Sequence, residues 1–246
     1  MLLGLGTILM LYDAPIVWGQ LGLFTVTQGT VLQFWTPDFL RGYGCGTPNG
    51  ALWTIGLTVQ FYIVIYFIYK LLRNKGLRTW LAIFAGSVLV TVFSPLLKGI
   101  LPEIVYKLYR QTLIPHAWLF LLGTMLAANR GFFLPRLRKY WALLLALSAV
   151  FMLVGLDVPM GSYSLFQSTA LILGIVGLAY QFPKLNIKID ISYGIYIYHM
   201  IVINAMIVLG FIGRPVHVLI ALLITCLIAF VSERTVGRWS LQLKKK

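Results

Sequence analysis

Eight runs of about 20 apolar residues, divided by short polar or basic loops, constrain this chain more than any other feature. A helix of that length crosses roughly 30 Å of hydrocarbon, and a backbone in lipid has to satisfy its own N–H and C=O groups. Each run is therefore expected as a helix. The runs are residues 14–35, 51–73, 78–97, 115–130, 139–156, 163–182, 192–212 and 215–232, and residues 1–12 read as part of one more. The expected fold is all-α: a polytopic transmembrane helical bundle of about eight complete spans plus one partial N-terminal span.

Composition agrees. Hydrophobic residues make up 60% of the 246, charged residues only 11%, and mean hydropathy is +0.89, which excludes an ordinary soluble domain and a disordered chain. The formal net charge of +14 raises nucleic acid as a partner, but the basic residues lie in short loops rather than in one patch. Counted on alternate sides of the spans, Lys70, Arg73, Lys75, Arg78, Arg130, Arg136, Arg138, Lys139, Lys184, Lys188, Arg234, Arg238 and Lys244 to Lys246 fall on one side, fifteen in all. Arg41, Lys98, Lys107, Arg110 and Arg214 fall on the other. That asymmetry implies no nucleic-acid role. It places the C-terminus in the cytoplasm and the loop before Asn49 outside.

No Lys or Arg precedes Arg41, and LLGLGTILMLY has neither the charged start of a signal peptide nor the length of a span. It reads as a frame joined partway through a helix, or as a short interfacial segment. Cys45 in the outer loop and Cys226 in an apolar run lie at different depths, so both are expected free. There is no His/Cys cluster at metal-ligand spacing, no phosphate-binding glycine loop and no GxSxG, so no metal site or bound cofactor is expected. Residues 98–114 are amphipathic enough for a helix on the outer surface.

Polar groups inside spans are costly and usually have a job. In NGALWTIGLTVQFY, Trp53, Gly56 and Gln60 share one helical face, while Thr54, Thr58, Tyr62 and Tyr69 share the opposite one. Two polar faces imply protein on both sides. In DISYGIYIYH, Ser192, Tyr196 and His199 fall within an arc of about 60°, with Tyr193 and Asn204 adjoining.

NGALWT, then QFY, then a distant DISYGIYIYH and a terminal SER resemble acyltransferase family 3, the integral-membrane enzymes that commonly O-acetylate bacterial surface polysaccharides. The preceding TVLQFWTPDFLRGYGCGTPNG is similar to the polysaccharide-modifying members. The order and spacing of these motifs carry the likeness, which covers nearly the whole chain but only the later part of a family member. Residues 1–246 are thus expected as one acyltransferase-like domain lacking the N-terminal spans. The resemblance implies a multi-pass protein of the bacterial inner membrane. Acyl-CoA would be a co-substrate rather than a bound cofactor, and a surface polysaccharide or lipid-linked sugar the acceptor, such as lipopolysaccharide.

Two departures stand out. Family members carry an early Arg, followed about a helix and a half later by a His held to act in acyl transfer, and the first His here is His116. Thr58 stands where the family motif usually has Glu, and a hydroxyl supplies neither negative charge nor a base near neutral pH. Only His116, His199 and His217 could act as a base in this chain. By resemblance, His199 matches the His of the family's Ser-Tyr…His motif and is the catalytic candidate. A buried His hydrogen-bonded to Tyr or Ser for packing is the competing reading. His116, after Pro115, reads as a solvated or capping residue, and His217 has no assigned role.

The substrate-binding candidates are Asn49, Trp53, Thr54, Thr58, Gln60, Tyr62, Ser192, Tyr193 and Tyr196. Trp53 reads first as an interfacial anchor and only second as a platform for a sugar, and Asn49 with Gly50 as a simple turn. Gln60 is harder to dismiss, because an unpaired carboxamide is costly in lipid. The basic runs Arg136–Lys139 and Lys244–Lys246 read as topology determinants and contacts to membrane lipid headgroups. Binding of acyl-CoA phosphates is an alternative for the first run. Three classes stay open: a membrane O-acyltransferase acting on a carbohydrate, a transporter or flippase of lipid-linked sugar, and an inactive remnant or partner subunit.

Overall fold

The computed structural model describes residues 2–30, 35–155, 157–160, 163–182, 189–237 and 239. The end of the first expected span at 31–34 lies outside them, as do the basic residues Lys184, Lys188, Arg238 and Lys244 to Lys246. Among the described residues, ten α-helices follow in order: α1 Leu2–Leu11, α2 Trp18–Gln28, α3 Trp53–Leu72, α4 Leu77–Phe93, α5 Glu103–Arg110, α6 Ala117–Ala128, α7 Arg130–Val154, α8 Leu165–Gln181, α9 Ser192–Val208 and α10 Pro215–Ser232. Besides these there are short turns and one antiparallel pair of two-residue strands, Pro159–Met160 with Tyr163–Ser164.

Among the described residues, four segments are long and apolar enough to cross a membrane: Trp53–Leu72, Leu77–Gly99, Arg130–Val154 and Pro215–Gly237. A fifth crossing results if α5 and the segment Ile114–Ala128, bent by 46° at their junction, act as one. Leu2–Leu11, Leu165–Gln181 and Ser192–Val208 are shorter apolar helices. This is a helical membrane protein, and large aliphatic side chains such as Leu153, Leu219 and Leu223 stand exposed along its long helices, as lipid rather than water would demand. The expected span at 14–35 is corrected to the 11-residue α2, about 16 Å long. Pro15 precedes it, extended Val17 caps it, and Gly29 follows its last residue. The run expected at 139–156 begins nine residues earlier, because α7 continues straight through its basic stretch.

The chain divides into two compact units, residues 1–59 with 186–246, and residues 60–185. In the first, Ile8, Leu21, Phe24, Leu40 and Tyr43 form a buried cluster. The Tyr12 hydroxyl donates to the Phe39 carbonyl at 2.7 Å, tying α1 to the loop before Asn49. α9 and α10 meet where a Cβ on Gly194 would lie 2.8 Å from Ala229 Cβ, so glycine there permits close approach. In the second, Leu72, Trp80, Leu122, Met125, Leu126 and Leu137 make the core. α7 packs along α8 through Gly174 and Gly177.

Candidate functional site

The loop GYGCGTPNG, residues 42–50, reaches the first unit's helices through two asparagines. Asn204, on α9, is fully buried. Its Oδ1 accepts the Cys45 N–H at 2.9 Å and the Cys45 thiol at 2.8 Å. Its Nδ2 donates to the carbonyls of Thr47 and Pro48, each at 2.9 Å. Gly44 makes the approach possible: its φ is +57°, and a Cβ there would sit 2.2 Å from Asn204 Oδ1. Asn49, also buried, donates from Nδ2 to the Ile197 carbonyl at 3.2 Å and accepts the Ala51 N–H at 3.2 Å. The amide of Asn49 thus holds the loop to α9 and starts the turn into α3.

Directly after that turn, α3 presents Trp53 and Thr54, both half-buried. Thr54 Oγ1 and the Tyr196 hydroxyl are hydrogen-bonded to each other. Thr54 also donates to the Ala51 carbonyl at 2.8 Å, and Tyr196 approaches the same carbonyl at 3.2 Å. One turn on, Thr58 donates to the Thr54 carbonyl at 2.7 Å and is exposed. His199 lies beside Tyr196, their ring centroids 6.0 Å apart. Its Nδ1 is 2.7 Å from the Tyr196 carbonyl oxygen. A carbonyl only accepts, so Nδ1 carries the proton and Nε2 of the neutral ring keeps its lone pair. Nε2 makes no hydrogen bond among the described residues.

The inward stripe expected on α9 divides by depth. Tyr193 is 67% exposed and Ser192 is exposed as well, whereas Asn204 at the other end has no exposure. Ser192 is engaged by Asp190, whose Oδ1 accepts the Ser192 hydroxyl at 2.6 Å and its N–H at 2.9 Å. Those two donors hold the Asp190 carboxyl below the usual carboxylate range. The second unit contains Gln60 and Tyr62. Gln60 Nε2 donates to the Gln111 carbonyl at 3.1 Å, and its Oε1 accepts the Leu113 N–H at 2.9 Å. Its carboxamide therefore clasps the segment between α5 and α6, while Tyr62 is 69% exposed.

The other histidines have local settings. His116 Nε2 is 3.0 Å from the Arg110 carbonyl, closing that same segment, and His217 packs edge-on against Phe211. Both cysteines are free. Sequence reasoning placed Asn204 beside the polar stripe without assigning it a task. The cost of an unpaired carboxamide within a span was the available signal.

The acyltransferase domain family, by its sequence model, matches residues 2–234. The chain is 27% identical over 215 residues to Nodulation protein 10 of Rhizobium leguminosarum bv. viciae, a match taking in 78% of this chain and 56% of that protein. The chain thus spans about half the length of that curated relative. No solved structure matches it.

Proposed function

The chain belongs to acyltransferase family 3, and on that premise we propose that it moves an acyl group, acetyl first among candidates, from acyl-CoA to a hydroxyl of a cell-surface carbohydrate. The observation that carries this reading is the His199 tautomer, with Nδ1 committed to the Tyr196 carbonyl and Nε2 left as a base. Nε2 takes the proton of the acceptor hydroxyl as its oxygen attacks the thioester carbonyl carbon. The C–S bond then breaks, and the departing thiolate takes that proton back from the imidazolium. The products are the carbohydrate ester and free CoA thiol.

The remaining residues bind and orient in this scheme. The linked hydroxyls of Thr54 and Tyr196 offer hydrogen bonds to sugar hydroxyls, with Ser192, Tyr193 and Thr58 at the exposed margin. Trp53 gives an aromatic face for the apolar side of a pyranose. Asn49 and Gln60 hold loops. We read the 17-residue apolar helices Leu165–Gln181 and Ser192–Val208 as further crossings, which with the bent pair taken as one gives seven spans after the Asn49 loop, in a bacterial plasma membrane with the C-terminus in the cytoplasm. The asparagine-held loop then faces outward, toward the acceptor.

The test follows radiolabelled acetyl-CoA in membranes from cells carrying or lacking the native coding region. Label entering polysaccharide only where the region is present is the expected result. Equal labelling in both overturns the reading, and movement of unlabelled lipid-linked sugar in its place favours a flippase.

A further inference from the structure

A cavity of about 720 Å³ opens in the second unit among α6, α7 and α8. Its wall is chiefly apolar, including Leu126, Phe133, Ile172 and Val176. Arg130 and Arg138 stand exposed at its margin. Among the described residues, no carboxylate lines it. The basic side chains nearby differ in their commitments. Arg136 donates to the Phe132 carbonyl and stacks its guanidinium 3.9 Å over the Phe132 ring. Lys139 lies over the Tyr140 ring at 5.3 Å. Among the described residues, neither Arg130 nor Arg138 makes an ion pair, a side-chain hydrogen bond or a ring contact.

We propose that this cavity is a binding site for an anionic phospholipid, its phosphate held by Arg130 and Arg138 and an acyl chain laid along the apolar wall. Two features favour that ligand. The arginines are eight residues apart on α7, about 12 Å by helical rise, a span that two long side chains converging on one headgroup can close. Gly131, the second residue of α7, also lines the cavity and adds the positive end of the helix dipole. A guanidinium suits a phosphate through paired N–H donors, and basic pockets between membrane helices take anionic headgroups. A nucleotide carrier such as coenzyme A shares the phosphate but brings a polar adenosine for which this wall offers little.

The test is native mass spectrometry of the purified full chain in detergent, titrated with phosphatidylglycerol or phosphatidylcholine of identical acyl chains. Roughly tenfold preferential retention of phosphatidylglycerol is expected. It should be lost in the double variant Arg130→Gln, Arg138→Gln and kept in Arg136→Gln. Val176→Phe, which narrows the cavity and leaves both arginines in place, should reduce retention of both lipids. Equal retention of the two lipids by the unmodified chain overturns the proposal, as does a preference that survives the double variant. Coenzyme A displacing phosphatidylglycerol at a lower concentration than the lipid itself requires would also overturn it, in favour of a nucleotide site.

Discussion

Asn204 engages its whole carboxamide, with two contacts to Cys45 at the oxygen and two carbonyls at the nitrogen. Asn204→Ala strands the part-buried Cys45 N–H and the carbonyls of Thr47 and Pro48, at roughly 1–3 kcal/mol for a group left buried without a partner. We expect a loss of about 3 kcal/mol, read as a lower melting temperature in detergent. Labelling of Cys45 by maleimide should rise several-fold while that of Cys226 stays unchanged. Gly44→Ala should weaken the same clamp, because its positive φ and the 2.2 Å clearance to Asn204 exclude a Cβ. The sequence put Asn204 beside Tyr196 and His199 on one helix, since spacing alone defines a helical face. It could not say that the partners lie 156 to 159 positions away. Nor could it give the His199 tautomer, which depends on where the Tyr196 carbonyl points.

Among elements, α7 and α8 show how a few small groups set a helix pair. A Cβ on Gly177 would fall 2.3 Å from the Leu137 carbonyl oxygen, whereas one on Gly174 would first meet the movable Leu145 side chain at 2.7 Å. Gly177→Ala should therefore lower the melting temperature more than Gly174→Ala, and equal shifts would contradict this packing. The start of α8 is capped from a distance: Asp157 accepts the N–H groups of Val158, Phe166 and Gln167 at 2.7 to 2.8 Å. Desolvation is the largest single influence on Asp157 and opposes its ionisation, but the three N–H donors together outweigh it and keep its carboxyl below the usual range. A depressed folded-state pKa gives stability that is present above the unfolded value and lost as pH falls through the folded one. Asp157→Ala should cost about 1 kcal/mol near pH 7. The gap from the unmodified chain should close in melts run below the depressed pKa. Helices such as α3 and α10 were legible because an apolar run ends at clear polar or proline boundaries. The break at α2 and the bend between α5 and α6 were not, since both depend on how short segments fold back on loops.

At the scale of the whole molecule, the asymmetry of basic loops supports the proposed orientation, with the Cys45 loop outside and the C-terminus in the cytoplasm. A membrane-impermeant maleimide should reach Cys45 from outside intact cells, and a C-terminal reporter should be active only in the cytoplasm. Reversal of both would refute the orientation. The family could be read from motif order across the chain, while the roles of individual polar side chains could not, because Gln60 and Asn49 proved to be holding backbone groups. The central claim is that His199 Nε2 removes the acceptor proton. It is tested most directly by the rate of acyl transfer to polysaccharide from the native coding region, with His199 intact and as His199→Gln, at equal protein abundance in the membrane. The account predicts a fall of roughly 10²- to 10⁴-fold in the variant, and an unchanged rate would contradict it.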